Sequence, residues 1–152
     1  MRRSGPVDVP RLAAALVALS LLAGCVPASP DADTYDDKAA VTLGSAVSDV
    51  MTVERLLQML YGERMLRPTA VAQLRASEDA LATATTAFTE LNPPPSRDPL
   101  NRQVSALLGD AGDLLAEARV AVERRDVTSY RPLAEELRTL ADDLGAVEER
   151  VR

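Results

Sequence analysis

The stretch that decides the fold is LAEELRTLADDLGAVEERV, residues 133–151. Its large aliphatic side chains recur in alternating steps of four and three residues, at Leu133, Leu137, Leu140, Leu144, Val147 and Val151. Because an α-helix has 3.6 residues per turn, this spacing places them on one face and leaves the charged residues on the other. Helices with such a stripe pack against each other at about 20°. The stretch therefore predicts an amphipathic helix with one buried face.

Three earlier segments, at about residues 37–65, 69–91 and 99–124, show the same spacing, and the fourth helix is predicted over about 128–151. No segment alternates apolar and polar residues with a period of two, so strands are not expected. Prolines and short polar runs separate the segments, and short connections place consecutive helices antiparallel. The sequence therefore predicts an all-α fold, an antiparallel up-down-up-down four-helix bundle over residues 37–152.

The predicted core is a stripe of small and aliphatic side chains along each helix. In the first helix the stripe is Leu43, Val47, Val50, Val53, Leu57 and Leu60. In the second it is Val71, Leu74, Ser77, Leu81, Ala84, Phe88 and Leu91. In the third it is Leu100, Val104, Leu107, Ala111, Leu114, Ala118 and Ala121, flanked by Leu108, Leu115 and Val122. Two glycines inside the third helix, Gly109 and Gly112, are interpreted as marking a close contact or a bend.

The start of the fourth helix has two alternatives. Asp126 is a residue type that caps helix N-termini, which favours a start directly after it. Pro132 fits best in the first turn of a helix, which favours a start near Arg131. The pattern does not decide between them.

The N-terminus has the features of a secretory signal. Two arginines follow Met1, and an apolar run of 12 residues extends from Leu12 to Ala23. A helix needs about 20 such residues to cross a bilayer, so this run is typical of a signal peptide and too short for a permanent membrane helix. The run ends in Leu22-Ala-Gly-Cys25, which resembles the lipobox of bacterial lipoproteins.

The lipobox resemblance implies a lipid anchor on Cys25. In that family the cysteine thiol receives a diacylglyceryl group, and a peptidase cuts before the cysteine, here between Gly24 and Cys25. The alternative is an ordinary signal peptide in which Cys25 is a small apolar residue. The resemblance implies that residues 1–24 are removed and that Cys25 carries the lipid. Residues 26–36 are small, polar and contain prolines, which predicts that residues 25–36 form the lipidated cysteine and a flexible tether. Acyl chains such as palmitate would then hold the protein at the cell membrane, on its extracytoplasmic face.

The composition argues against several classes of function. The chain has no histidine and one cysteine, which excludes the usual zinc sites, the Ser-His-Asp triad and the Glu-x-x-His di-iron site. A formal charge of −6 is unfavourable for binding nucleic acid. Met51, Met59 and Met65 carry soft thioethers, but their wide spacing indicates core filling and not a copper site. We expect no enzymatic activity, no metal and no cofactor besides the lipid on Cys25.

Carboxylates are abundant, and one of them lies beside the core. On the fourth helix acidic residues recur every seven residues around Arg138, which indicates a solvated, ion-paired face. Glu54 lies between Val53 and Leu57 of the first stripe. Ionised carboxylates are rarely buried without a partner, so Glu54 is expected to reach the rim of the core or to pair with an arginine.

Charge is distributed unevenly along the mature chain. Without residues 1–24 the chain carries −8, yet the windows 59–70 and 119–131 together carry +3. In an up-down bundle held by its N-terminus, both windows lie at the end far from the membrane. We call six residues of these windows the basic tip: Tyr61, Arg64, Arg67, Arg124, Arg125 and Tyr130.

The basic tip has two interpretations. Arginine and tyrosine are enriched at interfaces, so the tip is a possible interaction surface for an anionic wall polymer or an envelope protein. Alternatively, its arginines only complement the dipoles at the C-terminal ends of the first and third helices. The leading function is a membrane-tethered, non-enzymatic binding protein. The second is a small-ligand-binding bundle, which a pocket of several hundred Å³ between helices would favour.

Overall fold

The structure, a computed structural model, describes residues 31–152, and this part of the chain is all-helical without strands. Its four helices are α1 (Ala32–Tyr61), α2 (Arg67–Thr89), α3 (Asp98–Arg124) and α4 (Val127–Val151), with a short 3-10 turn at Pro95–Arg97 before α3. The predicted all-α fold with four helices is confirmed. The predicted signal peptide, Gly24 and Cys25 lie outside the described residues. None of the described helices is long and apolar enough to cross a membrane.

One core, built mostly from leucine, valine and alanine, runs between the four helices. The stripe predicted for α4 is correct, because its first five members are buried and Val151 packs against the core from its edge. Full burial of one such aliphatic side chain contributes about 1.5–3 kcal/mol. Hydrophobic burial along the stripes is therefore the main stabilising contribution to this fold.

The stripe predicted for α3 is rotated relative to the observed one. Leu107 and Leu114 are only partly buried, whereas their neighbours Leu108 and Leu115 are buried. The buried residues of α3 are Val104, Leu108, Ala111, Leu115, Ala118, Ala121 and Val122. Because leucines occur in adjacent pairs here, the helical period fits either member of each pair. Packing against neighbouring helices selects the second member.

The first helix begins earlier than predicted, so the tether prediction is wrong for residues 32–36. Asp31 caps the helix by accepting a hydrogen bond from the Thr34 backbone N–H at 2.7 Å, which lowers the pKa of the Asp31 carboxyl. Tyr35 is fully buried, with its ring 5.8 Å from that of Phe88 and its hydroxyl donating to Asn101 Oδ1 at 2.9 Å. These distant contacts hold the first turns of α1 in the bundle.

An ion pair strengthens the same end of α1. Both Nε and Nη2 of Arg97 donate to the carboxylate of Asp36, at 2.8 and 2.7 Å. Such a fork-to-fork pair is more specific in geometry than a single contact. It ties the second turn of α1 to the connection between α2 and α3.

The fourth helix starts at Val127, so the alternative start near Arg131 is wrong. The Asp126 carboxylate accepts hydrogen bonds from the hydroxyls of Ser129 and Thr128, both at 2.6 Å, and these bonds lower its pKa. Pro132 lies inside the helix and lacks an N–H to donate to the carbonyl four residues back. The loss of one backbone hydrogen bond near the helix start is tolerated.

The two glycines of α3 do not mark a close contact. A Cβ atom built on Gly109 or Gly112 meets no atom of another element within 4 Å. Both residues are exposed. The close-contact interpretation is therefore wrong.

Candidate functional site

The connection between α1 and α2 lies beside the connection between α3 and α4. Nη1 of Arg67, the first residue of α2, donates to the backbone carbonyl of Glu123 near the end of α3, at 3.0 Å. Arg67 was expected at the C-terminal end of the first helix, and this expectation is wrong. Its guanidinium bonds instead to a carbonyl near the C-terminal end of another helix, α3, and a cation is favourable at that end.

Helices α1 and α3 end in the same motif, each with a charged residue in the left-handed region. Glu63 has φ 55° and Arg125 has φ 60°. In each case the backbone N–H of the following residue donates to the carbonyl five residues before it. The Arg64 N–H donates to the Met59 carbonyl at 2.8 Å, and the Asp126 N–H donates to the Ala121 carbonyl at 2.9 Å. This pattern is the Schellman motif, in which glycine is the favoured residue. An arginine at this position costs about 1–2 kcal/mol of backbone energy, so stability alone does not explain Arg125.

The residues of the basic tip differ in burial. Arg64, Arg124 and Arg125 are exposed and form no ion pair with another described residue. Tyr130 is buried, which raises the pKa of its hydroxyl against the opposing effect of the Arg67 guanidinium. Tyr61 is mostly exposed. The tyrosines therefore differ: Tyr61 at the end of α1 is mostly exposed, and Tyr130 near the start of α4 is buried.

Two apolar residues of this end were missed by the sequence analysis. Leu66, in the α1–α2 connection, is 76 % exposed, and Val127, the first residue of α4, is about half exposed. With Tyr61 they are three of the five large apolar side chains that are exposed in residues 31–152. Leu66 lies inside a predicted connection between helices, and an apolar residue at such a position could have indicated an exposed apolar side chain. The basic tip thus carries apolar side chains among its arginines.

A cleft of about 340 Å³ opens between the end of α1 and the start of α4. Leu57 and Ala134 form its apolar wall, and Tyr61 and Tyr130 lie at its tip-side end. Its polar lining is Glu54, Gln58, Arg131, Glu135 and Arg138. Small-molecule sites typically have a largely apolar lining, a few placed polar groups and a volume from about 300 Å³ upward. The cleft meets this description at the small end of the range.

Glu54 is the buried charge of the cleft, with 2 % of its side chain exposed. Its Oε1 accepts a hydrogen bond from Gln58 Nε2 at 2.7 Å and a second one from Arg138 Nη2 on α4. The expectation that Glu54 pairs with an arginine is confirmed. Arg138 is 56 % exposed, so its guanidinium stays partly hydrated while it neutralises the carboxylate. Both described hydrogen bonds of this carboxylate use one oxygen, which leaves Oε2 without one.

A second pair lies at the rim of the cleft. Arg131 Nε contacts Glu135 Oε1 at 3.3 Å, and both side chains are exposed. An exposed pair of this kind contributes little to stability. It does balance the charge, so the cleft has two cationic and two anionic side chains and no net charge.

Another ionic cluster joins α2 to α3. Nε of Arg119 donates to both carboxylate oxygens of Glu78, at 3.0 and 2.9 Å. The Glu123 carboxylate accepts from Arg75 at 3.1 Å and from Arg119 at 3.2 Å, and these contacts lower its pKa, with the Arg75 bond as the largest cause. Glu78 also lines a surface groove of about 420 Å³, and Arg75 and Glu123 line a second one of about 540 Å³. The role of the cluster is to hold the two helices together.

No group of three or more carboxylate or cysteine side chains within residues 31–152 is placed to hold a metal ion. Comparison with known proteins gives no further guide, because no protein-family profile, curated protein or solved structure matches this chain. The candidate sites are therefore the basic tip and the cleft next to it.

Proposed function

We propose that this protein is a lipid-anchored, non-enzymatic binding protein of the bacterial cell envelope, and that its basic tip binds a partner protein away from the membrane. The lipobox at Cys25 is the basis for the anchor. The single observation that carries the binding role is the combination, at one end of the fold, of exposed Leu66 and Val127 with arginines that form no ion pair within residues 31–152.

The proposal includes an antiparallel up-down-up-down arrangement of the helices. Two contacts support it: Glu54 bonds to Arg138, and Gly44, ten residues earlier on α1, lies beside Glu148, ten residues later on α4. Because Arg97 pairs with Asp36, the α2–α3 connection lies beside the start of α1. In this arrangement the basic tip is at the end opposite the lipid.

The mixed chemistry of the basic tip favours a protein over a wall polymer. An anionic polymer would be bound by arginines alone, and exposed leucine and valine would add nothing to that contact. Protein interfaces, in contrast, combine an apolar centre with a polar rim, and arginine and tyrosine are enriched in them. The partner is accordingly an envelope protein whose surface has apolar side chains bordered by acidic ones.

Replacement of the lipidated cysteine tests the anchor. We expect Cys25→Ala to move the protein from the membrane fraction to the soluble extracytoplasmic fraction, because the thiol that would receive the diacylglyceryl group is lost. Cell fractionation followed by immunoblotting measures the distribution. Ser20→Ala in the signal peptide is the control and leaves the protein on the membrane. Wild-type membrane retention of Cys25→Ala contradicts the lipid anchor.

Crosslinking in cells tests the basic tip. A photo-crosslinking amino acid at Leu66 is expected to capture one defined protein, and charge reversal at Arg64, Arg124 and Arg125 in the same chain is expected to abolish that product. Val41 is the matched control, since it is apolar and 73 % exposed but lies on α1 far from the tip. A Leu66 product that persists after charge reversal, or that also forms from Val41, counts against the tip.

A further inference from the structure

We infer that the cleft between α1 and α4 binds a small zwitterion, and specifically a free α-amino acid with an apolar side chain. This inference goes beyond the partner-binding role and does not depend on it. It rests on the pairing of one buried carboxylate with one half-exposed guanidinium in the lining of a mostly apolar cleft.

The lining of the cleft presents opposite charges side by side. Glu54 lines the cleft, and its Oε1 takes both of the hydrogen bonds described for this carboxylate, so Oε2 has no described donor and remains an acceptor. A guanidinium has five N–H donors, and the single contact from Arg138 to Glu54 leaves most of them available. A ligand with one charge would be attracted by one of these groups and repelled by the other. A ligand with adjacent ammonium and carboxylate groups satisfies both.

The remaining lining fits the other parts of an α-amino acid. The ammonium group would lie between Glu54 Oε2 and the tyrosine rings, whose faces attract cations. The carboxylate would accept from Arg138, whose planar fork matches carboxylate geometry. The side chain would lie on Leu57 and Ala134. The volume of about 340 Å³ is at the small end of ligand sites, which favours a single amino acid over a longer peptide.

Calorimetric titration of the detergent-solubilised full chain with leucine and its analogues tests the assignment. N-acetyl-leucine lacks the ammonium charge and leucinamide lacks the carboxylate charge, and each is expected to bind about tenfold more weakly than leucine or worse. No heat of binding for leucine or phenylalanine up to about 10 mM overturns the inference. Equal affinity for leucine and either analogue also overturns it, because the cleft would then recognise only the apolar part.

Two variants connect binding to this cleft. Tyr61→Ala is expected to weaken leucine binding up to about tenfold, because the exposed ring is lost without disturbing the core. Glu54→Gln keeps the shape and is expected to weaken leucine binding without further weakening N-acetyl-leucine. Leu66→Ala is the matched control: it removes an exposed apolar residue beside the basic tip and outside the cleft, and it leaves leucine affinity unchanged. Leucine binding that survives both cleft variants at wild-type affinity contradicts this location.

The experiments on the tip and on the cleft have separate outcomes. Leu66→Ala should impair capture of a protein partner but not leucine binding, whereas Glu54→Gln should impair leucine binding but not capture. Failure of one prediction therefore leaves the other testable.

Discussion

Tyr35→Ala is expected to lower the free energy of unfolding by about 3–5 kcal/mol, as in other truncations of a buried aromatic side chain. Tyr35 is fully buried, contacts the Phe88 ring, and bonds to Asn101 at the start of α3. Its removal leaves a cavity between three helices and frees the first turns of α1. Urea unfolding monitored by circular dichroism measures the change.

Two controls separate the contributions at this position. Tyr35→Phe removes only the hydroxyl and its bond to Asn101 and should cost about 1 kcal/mol. Tyr61→Ala removes the same side chain from an exposed position and should change stability by less than about 0.5 kcal/mol. A cost below about 1 kcal/mol for Tyr35→Ala would show that the start of α1 adds nothing to the cooperative unit.

The two partners of the buried ion pair are expected to respond very differently to substitution. Arg138→Ala should destabilise the protein by about 3 kcal/mol, because it leaves the Glu54 carboxylate buried without its cation. Glu54→Leu should be close to neutral or stabilising, because the half-exposed Arg138 can turn to water while leucine fills the site. Chemical unfolding of both variants measures the asymmetry.

The rim of the cleft supplies the control for this prediction. Arg131→Ala removes an arginine from the same helix, and its exposed pair with Glu135 should be worth less than about 0.5 kcal/mol. The double variant Glu54→Leu with Arg138→Ala should recover most of the stability that Arg138→Ala loses. A double variant as unstable as Arg138→Ala would place the loss in the packing of the Arg138 stem and not in the carboxylate.

The period of the apolar residues was enough to predict four helices and most of the core. It failed where the decisive contact is distant in sequence. The start of α1 looks like a polar tether because Asp33, Asp36 and Asp37 surround Tyr35, and only its contacts with Phe88 and Asn101 explain why it is helical. Tyr35 lies about two helical turns before Leu43, and this spacing could have indicated that the first helix already includes Tyr35.

The cleft was harder to anticipate than the fold. The sequence indicated that Glu54 needs a partner, but Arg138 was interpreted as part of a solvated face of its own helix. For both Glu54 and Arg138, the neighbours on the same helix already account for a charged residue at that position. Glu54 and Arg138 come together only because of how α1 and α4 are aligned along each other. The spacing of apolar residues within one helix carries no information about that alignment. The same register brings Tyr61 and Tyr130 into the lining of one cleft.

The early start of α1 has a mechanical consequence for the anchored arrangement proposed above. A helix of 30 residues is about 45 Å long, and the chain from Cys25 to Ala32 can span at most about 25 Å. Most of the distance from the lipid to Tyr61 is then spanned by the rigid helix α1 and not by the connecting chain. The basic tip would then reach at most about 70 Å from the lipid, so that a partner is selected by where its surface stands as well as by its chemistry.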